Sequence, residues 1–178
     1  VIWLLDACVL LRAEDAGRLS ELLAAASLVR CAVVREVYDE VTAPETRKQK
    51  VLERARKAKA EIDKSSIEVR NIPLLSDAAT RMAAFRDGRT TANDAGEAAS
   101  VALASTDTEL VFVTAEKGAV WLGIREAYPH TTVLPWFLRA LVEGGAMPWT
   151  VADEIVKADS TPLPSWWAEW SLRQRPTP

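Results

Sequence analysis

Five consecutive apolar residues, Val1 to Leu5, end on an acid, Asp6. The same event recurs late in the chain, where Leu110 to Val113 runs into Thr114, Ala115 and Glu116. An unbroken apolar run of this length suits a strand covered on both faces, as in a parallel sheet. In open sheets of that kind, ligands sit beyond the carboxyl ends of the strands. Both runs therefore aim a carboxylate at the edge where such sheets do chemistry.

The rest of the chain alternates in a compatible way. The pattern predicts a helix over 12–27, with Leu19, Leu22 and Leu23 on one stripe, a strand over 28–32, and a helix over 33–41, where Val33, Val37 and Val41 recur every four residues. Pro44 can open the next helix, a charged one reaching Lys64. A strand over 66–72 stops at Pro73, and a helix over 76–85 takes Ser76 or Asp77 as its cap. Residues 86–91 read as a loop. Asn93 or Asp94 opens a helix reaching Ser105, whose Ala95, Ala98, Ala99 and Ala102 let it lie close to a sheet. A strand over 109–113, a helix over 117–127 and a strand over 131–134 follow. Strands alternating with helices predict an α/β fold: a three-layer α/β/α domain with a central parallel sheet and right-handed crossovers. The expected division is a main domain over 1–140 and a Trp- and Pro-rich helical extension over 141–178, packing on that domain or on a partner.

Composition removes several function classes. The two cysteines, Cys8 and Cys31, make no disulfide framework and fit a reducing compartment. His130 is the one histidine and reads as a turn residue, so Ser-His-Asp and Cys-His mechanisms lack their base. No Gly-rich loop precedes a Lys-Ser/Thr pair, as a P-loop enzyme needs. A dehalogenase-type phosphatase needs a second Asp two residues after the first, and that position is Cys8. No apolar stretch nears the ~20 residues that cross a bilayer, and no signal-peptide pattern opens the sequence. A cytoplasmic protein with no membrane partner is expected. The net charge of −3 argues against bulk attraction to nucleic acid, but bound cations would reverse the field locally.

Four acids stand at strand ends or helix ends, and each has a plain explanation. Asp6 could cap a helix. Glu40, beside Glu36 and Asp39, could belong to a solvated edge. Glu97 has capping-box spacing from Asp94. Glu116 could favour a helix N-terminus. Their order and their flanking residues nevertheless resemble the PIN-domain nucleases, including the VapC-type toxins. The resemblance rests on Leu4-Leu5-Asp6-Ala7-Cys8-Val9-Leu10, Val37-Tyr38-Asp39-Glu40-Val41, Ala95 through Ala104 around Gly96-Glu97, and Phe112-Val113-Thr114-Ala115-Glu116. It spans roughly residues 1 to 135.

The resemblance implies a catalytic set of Asp6, Glu40, Glu97 and Glu116. Asp6, Glu97 and Glu116 would hold metal, with Asp94 as ligand or neighbour and Glu40 binding metal or orienting water. An all-oxygen set with no His or Cys suits Mg²⁺ or Mn²⁺ rather than zinc. The implied reaction is metal-dependent hydrolysis of phosphodiesters in single-stranded RNA, with a small antitoxin protein or a second copy of the chain as partners. This sequence departs from the pattern at Glu116, where Asp is usual, and at Cys8, where Ser or Asn is usual. Those departures keep open a catalytically weak module binding RNA or a partner; a nuclease acting on DNA is the other alternative. Candidate phosphate contacts are Arg86, Arg89, Arg47, Lys48, Lys50 and Arg54. The same basic stretch also reads as a solvated helix laced with ion pairs.

Trp136, Trp149, Trp166, Trp167 and Trp170 crowd the last part of the chain, and the last three share a face at helical spacing. They read as packing residues or as faces for base stacking. Pro162, Pro164, Pro176 and Pro178 suggest an extended, loose tail.

Overall fold

The computed structural model of the protein describes residues 1–44, 46, 48–87, 95–158 and 164–174. Ile2–Leu5 forms β1 and Ala7–Asp15 forms α1. Leu19–Leu28 (α2), Cys31–Val34 (β2), Arg35–Thr42 (α3) and Gln49–Lys64 (α4) follow. Glu68–Arg70 (β3), Asp77–Asp87 (α5), Ala95–Ala104 (α6) and Leu110–Thr114 (β4) come next. Lys117–Ala127 (α7), Thr131–Val133 (β5), Leu134–Glu143 (α8), Trp149–Lys157 (α9) and Ser165–Gln174 (α10) complete the order.

The five strands make one parallel sheet in the order β3-β2-β1-β4-β5. Trp3 pairs with Cys31 on one side of β1, and Leu5 with Val113 on the other. Leu4, Leu5, Ala32, Val33, Val34, Leu110, Phe112 and Val113 are all buried, which is why these runs are apolar without alternation. Burying a Leu, Val or Phe side chain contributes ~1.5–3 kcal/mol, so the three inner strands anchor the core. β3 and β5 are short edges and only partly covered. α2 packs on α1 and α4, while α6 packs on α5 and α7, an arrangement compatible with three α/β/α layers. The chain steps outward from β1 to β2 and β3, then returns past β1 to β4 and β5. The strand order thus reverses between β1 and β4, the place where such sheets open a crevice.

Several element boundaries differ from the sequence pattern; α5, for one, runs through Arg86 to Asp87, two residues expected in the loop that follows. The expected helix over 12–27 is two helices, because Gly17 adopts φ +67. Gly17 N donates to Glu14 O and Arg18 N to Ala13 O, the paired bonds of a Schellman stop. The strand expected over 28–32 lies at Cys31–Val34, since α2 runs to Leu28 and leaves that side chain exposed. The helix expected to open at Pro44 begins at Gln49. Ser76 does cap α5, its Oγ accepting from Ala79 N at 3.1 Å.

The helical extension expected over 141–178 begins earlier, with α8 at Leu134, the residue expected to end the last strand. α8 buries Leu134, Phe137, Leu138 and Leu141, a stripe at helical spacing. α9 packs against α1 and α8, and α10 against α9. Trp167 and Trp170 are buried in the same core as the strands, and Trp167 Nε1 donates to Asp153 Oδ1 at 3.0 Å. Trp136 and Trp166 stack with centroids 4.3 Å apart. Pro162, Pro176 and Pro178 lie outside the described residues. Among the described residues no helix is long and apolar enough to cross a membrane.

Candidate active site at the carboxyl end of the sheet

Asp6 continues the pairing of β1 by one residue: its amide donates to Val113 O at 3.0 Å. Its backbone is extended, at φ −80 and ψ 159, and α1 starts immediately after. Asp6 is the N-cap of α1, with Oδ1 accepting from Ala7 N at 2.9 Å. The cap uses only that oxygen. Oδ2 accepts from Cys8 Sγ at 2.9 Å and from Thr114 Oγ1 at 2.8 Å. Thr114 follows Val113, the partner of Leu5, so it stands where β4 faces Asp6. Cys8 Sγ in turn accepts from Ala115 N at 3.1 Å, and Thr114 Oγ1 accepts from Glu116 N at 3.1 Å. A closed network therefore joins the ends of two strands 108 residues apart in sequence.

Asp6 is 5% exposed. Burial pushes its carboxyl above the usual range, and the bonds from Cys8, Thr114 and Ala7 pull it partly back. Burial, and next the adjacent Asp6 charge, hold the Cys8 thiol protonated well beyond neutral pH. Cys8 is thus a donor to Asp6 and not a thiolate.

Glu97 lies in the first turn of α6 and is 8% exposed. α6 reaches this depth because its contact residues are small. A Cβ on Gly96 would meet Val37 Cγ2 at 2.8 Å and Glu40 Oε2 at 3.1 Å. Glu40 is exposed overall, yet its carboxylate lies against the turn that carries Glu97. Glu116 is the N-cap of α7, is exposed, and makes no side-chain cap bond. It meets the network only through its backbone amide. Asp94 lies outside the described residues, and with it the suggested capping box.

Glu36 was not singled out as a site residue. It sits in the first turn of α3, two residues past the buried strand β2, and its Oε2 is buried with no hydrogen-bond partner among the described residues. The signal is present in the sequence: an apolar run, Cys31 to Val34, with an acid two residues beyond its end. Starting the helix at Val33 instead of Arg35 hid it, because Glu36 then fell inside a helix and not at a strand end.

The basic candidates have varied settings. Arg86 is exposed in the last turn of α5, and Lys48 and Lys50 are exposed at the start of α4. Arg54 is engaged with α1, donating to Leu11 O at 2.6 Å and pairing with Glu14 and with Asp15 at 2.8 Å. Arg47 and Arg89 lie outside the described residues.

Asp6, Glu36, Glu40 and Glu97 offer oxygen donors only, the chemistry a hard dication prefers. Buried Asp6 carries a desolvation cost when ionised, which such a cation would relieve. Among the described residues, no three acids, histidines or cysteines already stand at metal-ligand separations. Comparison with family models, curated proteins and solved structures finds no match to this chain.

Proposed function

We propose that the chain is a divalent-metal-dependent nuclease with a PIN-like α/β/α fold, hydrolysing phosphodiester bonds of single-stranded RNA. One observation carries this reading: a buried carboxylate, Asp6, held by three donors, stands where the strand order reverses between β1 and β4. Glu97, buried at the start of α6, with Glu40 beside that turn and Glu36 past β2, supplies further acids.

In this reading Asp6 and Glu97 hold Mg²⁺ or Mn²⁺, Glu36 and Glu40 complete the shell or orient water, and Asp94 and Glu116 flank it. The bound ion would lower the pKa of a water and neutralise charge building on the phosphate. Thr114 and Cys8 fix the Asp6 carboxylate through Oδ2, so that its position does not depend on the metal. The helix start at Ala7 keeps Oδ1 pointed toward the α1 terminus. A toxin role, with a small antitoxin as partner, extends the same reading.

The test is cleavage of a single-stranded RNA by the purified chain with Mg²⁺ or Mn²⁺, with DNA of the same sequence alongside. Activity should vanish in EDTA and in Asp6→Asn and Glu97→Gln proteins. Undiminished cleavage in both variants would overturn the assignment. Glu116, an exposed cap that makes no side-chain cap bond, favours a second reading, a module that binds RNA without cutting it. Tight RNA binding with no cleavage under either metal would select it. Growth arrest on expressing the wild-type chain, absent for Asp6→Asn, checks the toxin role.

A further inference from the structure

A hollow of about 680 Å³ lies between α5 and α7, the helix that Glu116 caps. Phe85, Trp121, Leu122 and Ile124 form its apolar wall, Gly118 lines it too, and Arg125 is the charged residue among its described lining. Trp121 is 64% exposed and Ile124 45% exposed, although both lie on a helix whose other face is buried. A large aromatic left in water next to an apolar hollow is a feature that monomeric surfaces rarely keep without use. Both walls lead toward the acids. Gly118 is in the first turn of α7, which starts just after Glu116, and α5 ends just past Phe85, ahead of the α6 turn with Glu97.

We infer that this hollow is a stacking subsite for an unpaired base of the single-stranded nucleic acid whose phosphate lies at Asp6. The inference rests on the nuclease reading and adds where the strand is held. The occupant follows from the lining. Trp121 and Phe85 present aromatic faces, which take any base. Arg125 borders them, and Arg86 next to Phe85 and Lys117 next to Gly118 are exposed, which suits a phosphate backbone on either side of the base. Arg125 also bonds Glu126 Oε1 at 2.5 Å, so part of its charge is already answered. Among the described residues, no acidic side chain lines the hollow.

The experiment measures binding of a labelled single-stranded RNA in EDTA, where cleavage stops, for wild-type, Trp121→Ala and Trp121→Phe proteins. A second series uses the same RNA with one abasic position moved along it. Trp121→Ala should bind on the order of tenfold more weakly, and Trp121→Phe should recover most of that. Wild type should show one position where removing the base weakens binding by a similar factor, and Trp121→Ala should lose that dependence. If Trp121→Ala binds and cleaves as wild type does, or keeps the abasic profile, the subsite is overturned while the nuclease reading stands. If Trp121→Ala instead turns a sedimenting dimer into a monomer with RNA binding unchanged, the hollow is an interface between copies and the inference fails. If wild type neither binds nor cleaves any single strand, the nuclease reading itself fails.

Discussion

At the end of β1, Asp6 follows Leu5 directly, is 5% exposed and accepts three hydrogen bonds. At the end of β4, Thr114 takes that place, and the acid, Glu116, comes two residues later, exposed and without a side-chain cap bond. Both acids are helix N-caps after buried strands, and in sequence they look like two copies of one device. Register separates them. Because Leu5 pairs with Val113, the residue that faces Asp6 is Thr114, whose hydroxyl serves the carboxylate. β1 thus supplies a charge and β4 supplies the group that holds it. A buried carboxylate needs such donors, whereas an exposed one is served by water.

The strongest way to break this comparison is to neutralise each acid in turn. Asp6→Asn should lower metal-dependent cleavage by more than about 100-fold, and Glu116→Gln by only about tenfold, measured as kcat/KM on one RNA. Equal losses would mean that burial is not what distinguishes them. Thr114→Val tests the bond between the two ends. It removes a donor to a buried charged group and the acceptor for Glu116 N, and should cost about 1.5–3 kcal/mol of unfolding free energy by denaturant titration. Thr114→Ser should restore most of it; a Ser variant as unstable as Val would point to the methyl group instead.

A linkage between pH and metal accompanies these losses. The folded-state pKa of Asp6 lies above its ordinary value of 3.8 because burial disfavours the charge. The folded protein therefore keeps this proton when the unfolded chain has lost it. The contribution is complete at pH below 3.8 and disappears as pH rises through the folded value. A dication binds the ionised form, so stabilisation by Mn²⁺ should be negligible at low pH and grow as the solution is made neutral. At a concentration about 100 times Kd it should reach about 2.7 kcal/mol. Melting curves with and without Mn²⁺ between pH about 4 and about 8 check this, and Asp6→Asn should show no such growth.

Much of the scaffold was legible because its signals are local. Unbroken apolar runs marked the inner strands, Ser76 announced the start of α5, and the Ala-rich pattern of 95–104 announced a helix that lies close to its neighbours. Where the reading slipped, a single backbone preference outweighed the pattern. Gly17 at φ +67 ended α1 inside what looked like one amphipathic helix. The stripe Leu134, Phe137, Leu138 and Leu141 was present but went unread beside the aromatic crowding that follows it.

The site was legible only as a set of acids in order. Which acid is buried, which is exposed and which was overlooked all depend on contacts between segments far apart. Asp6 and Thr114 meet because β1 and β4 are neighbours, and Glu40 reaches the Glu97 turn because Gly96 lets α3 and α6 approach. The sequence by itself determined the parallel α/β class and the place of Asp6 at the carboxyl end of its strand, since both follow from apolar periodicity along one strand or helix at a time. Tertiary structure alone decided the pairing of Asp6 with Thr114, the burial of Glu97 and the exposure of Glu116. Those depend on strand register and helix approach, which no local pattern encodes.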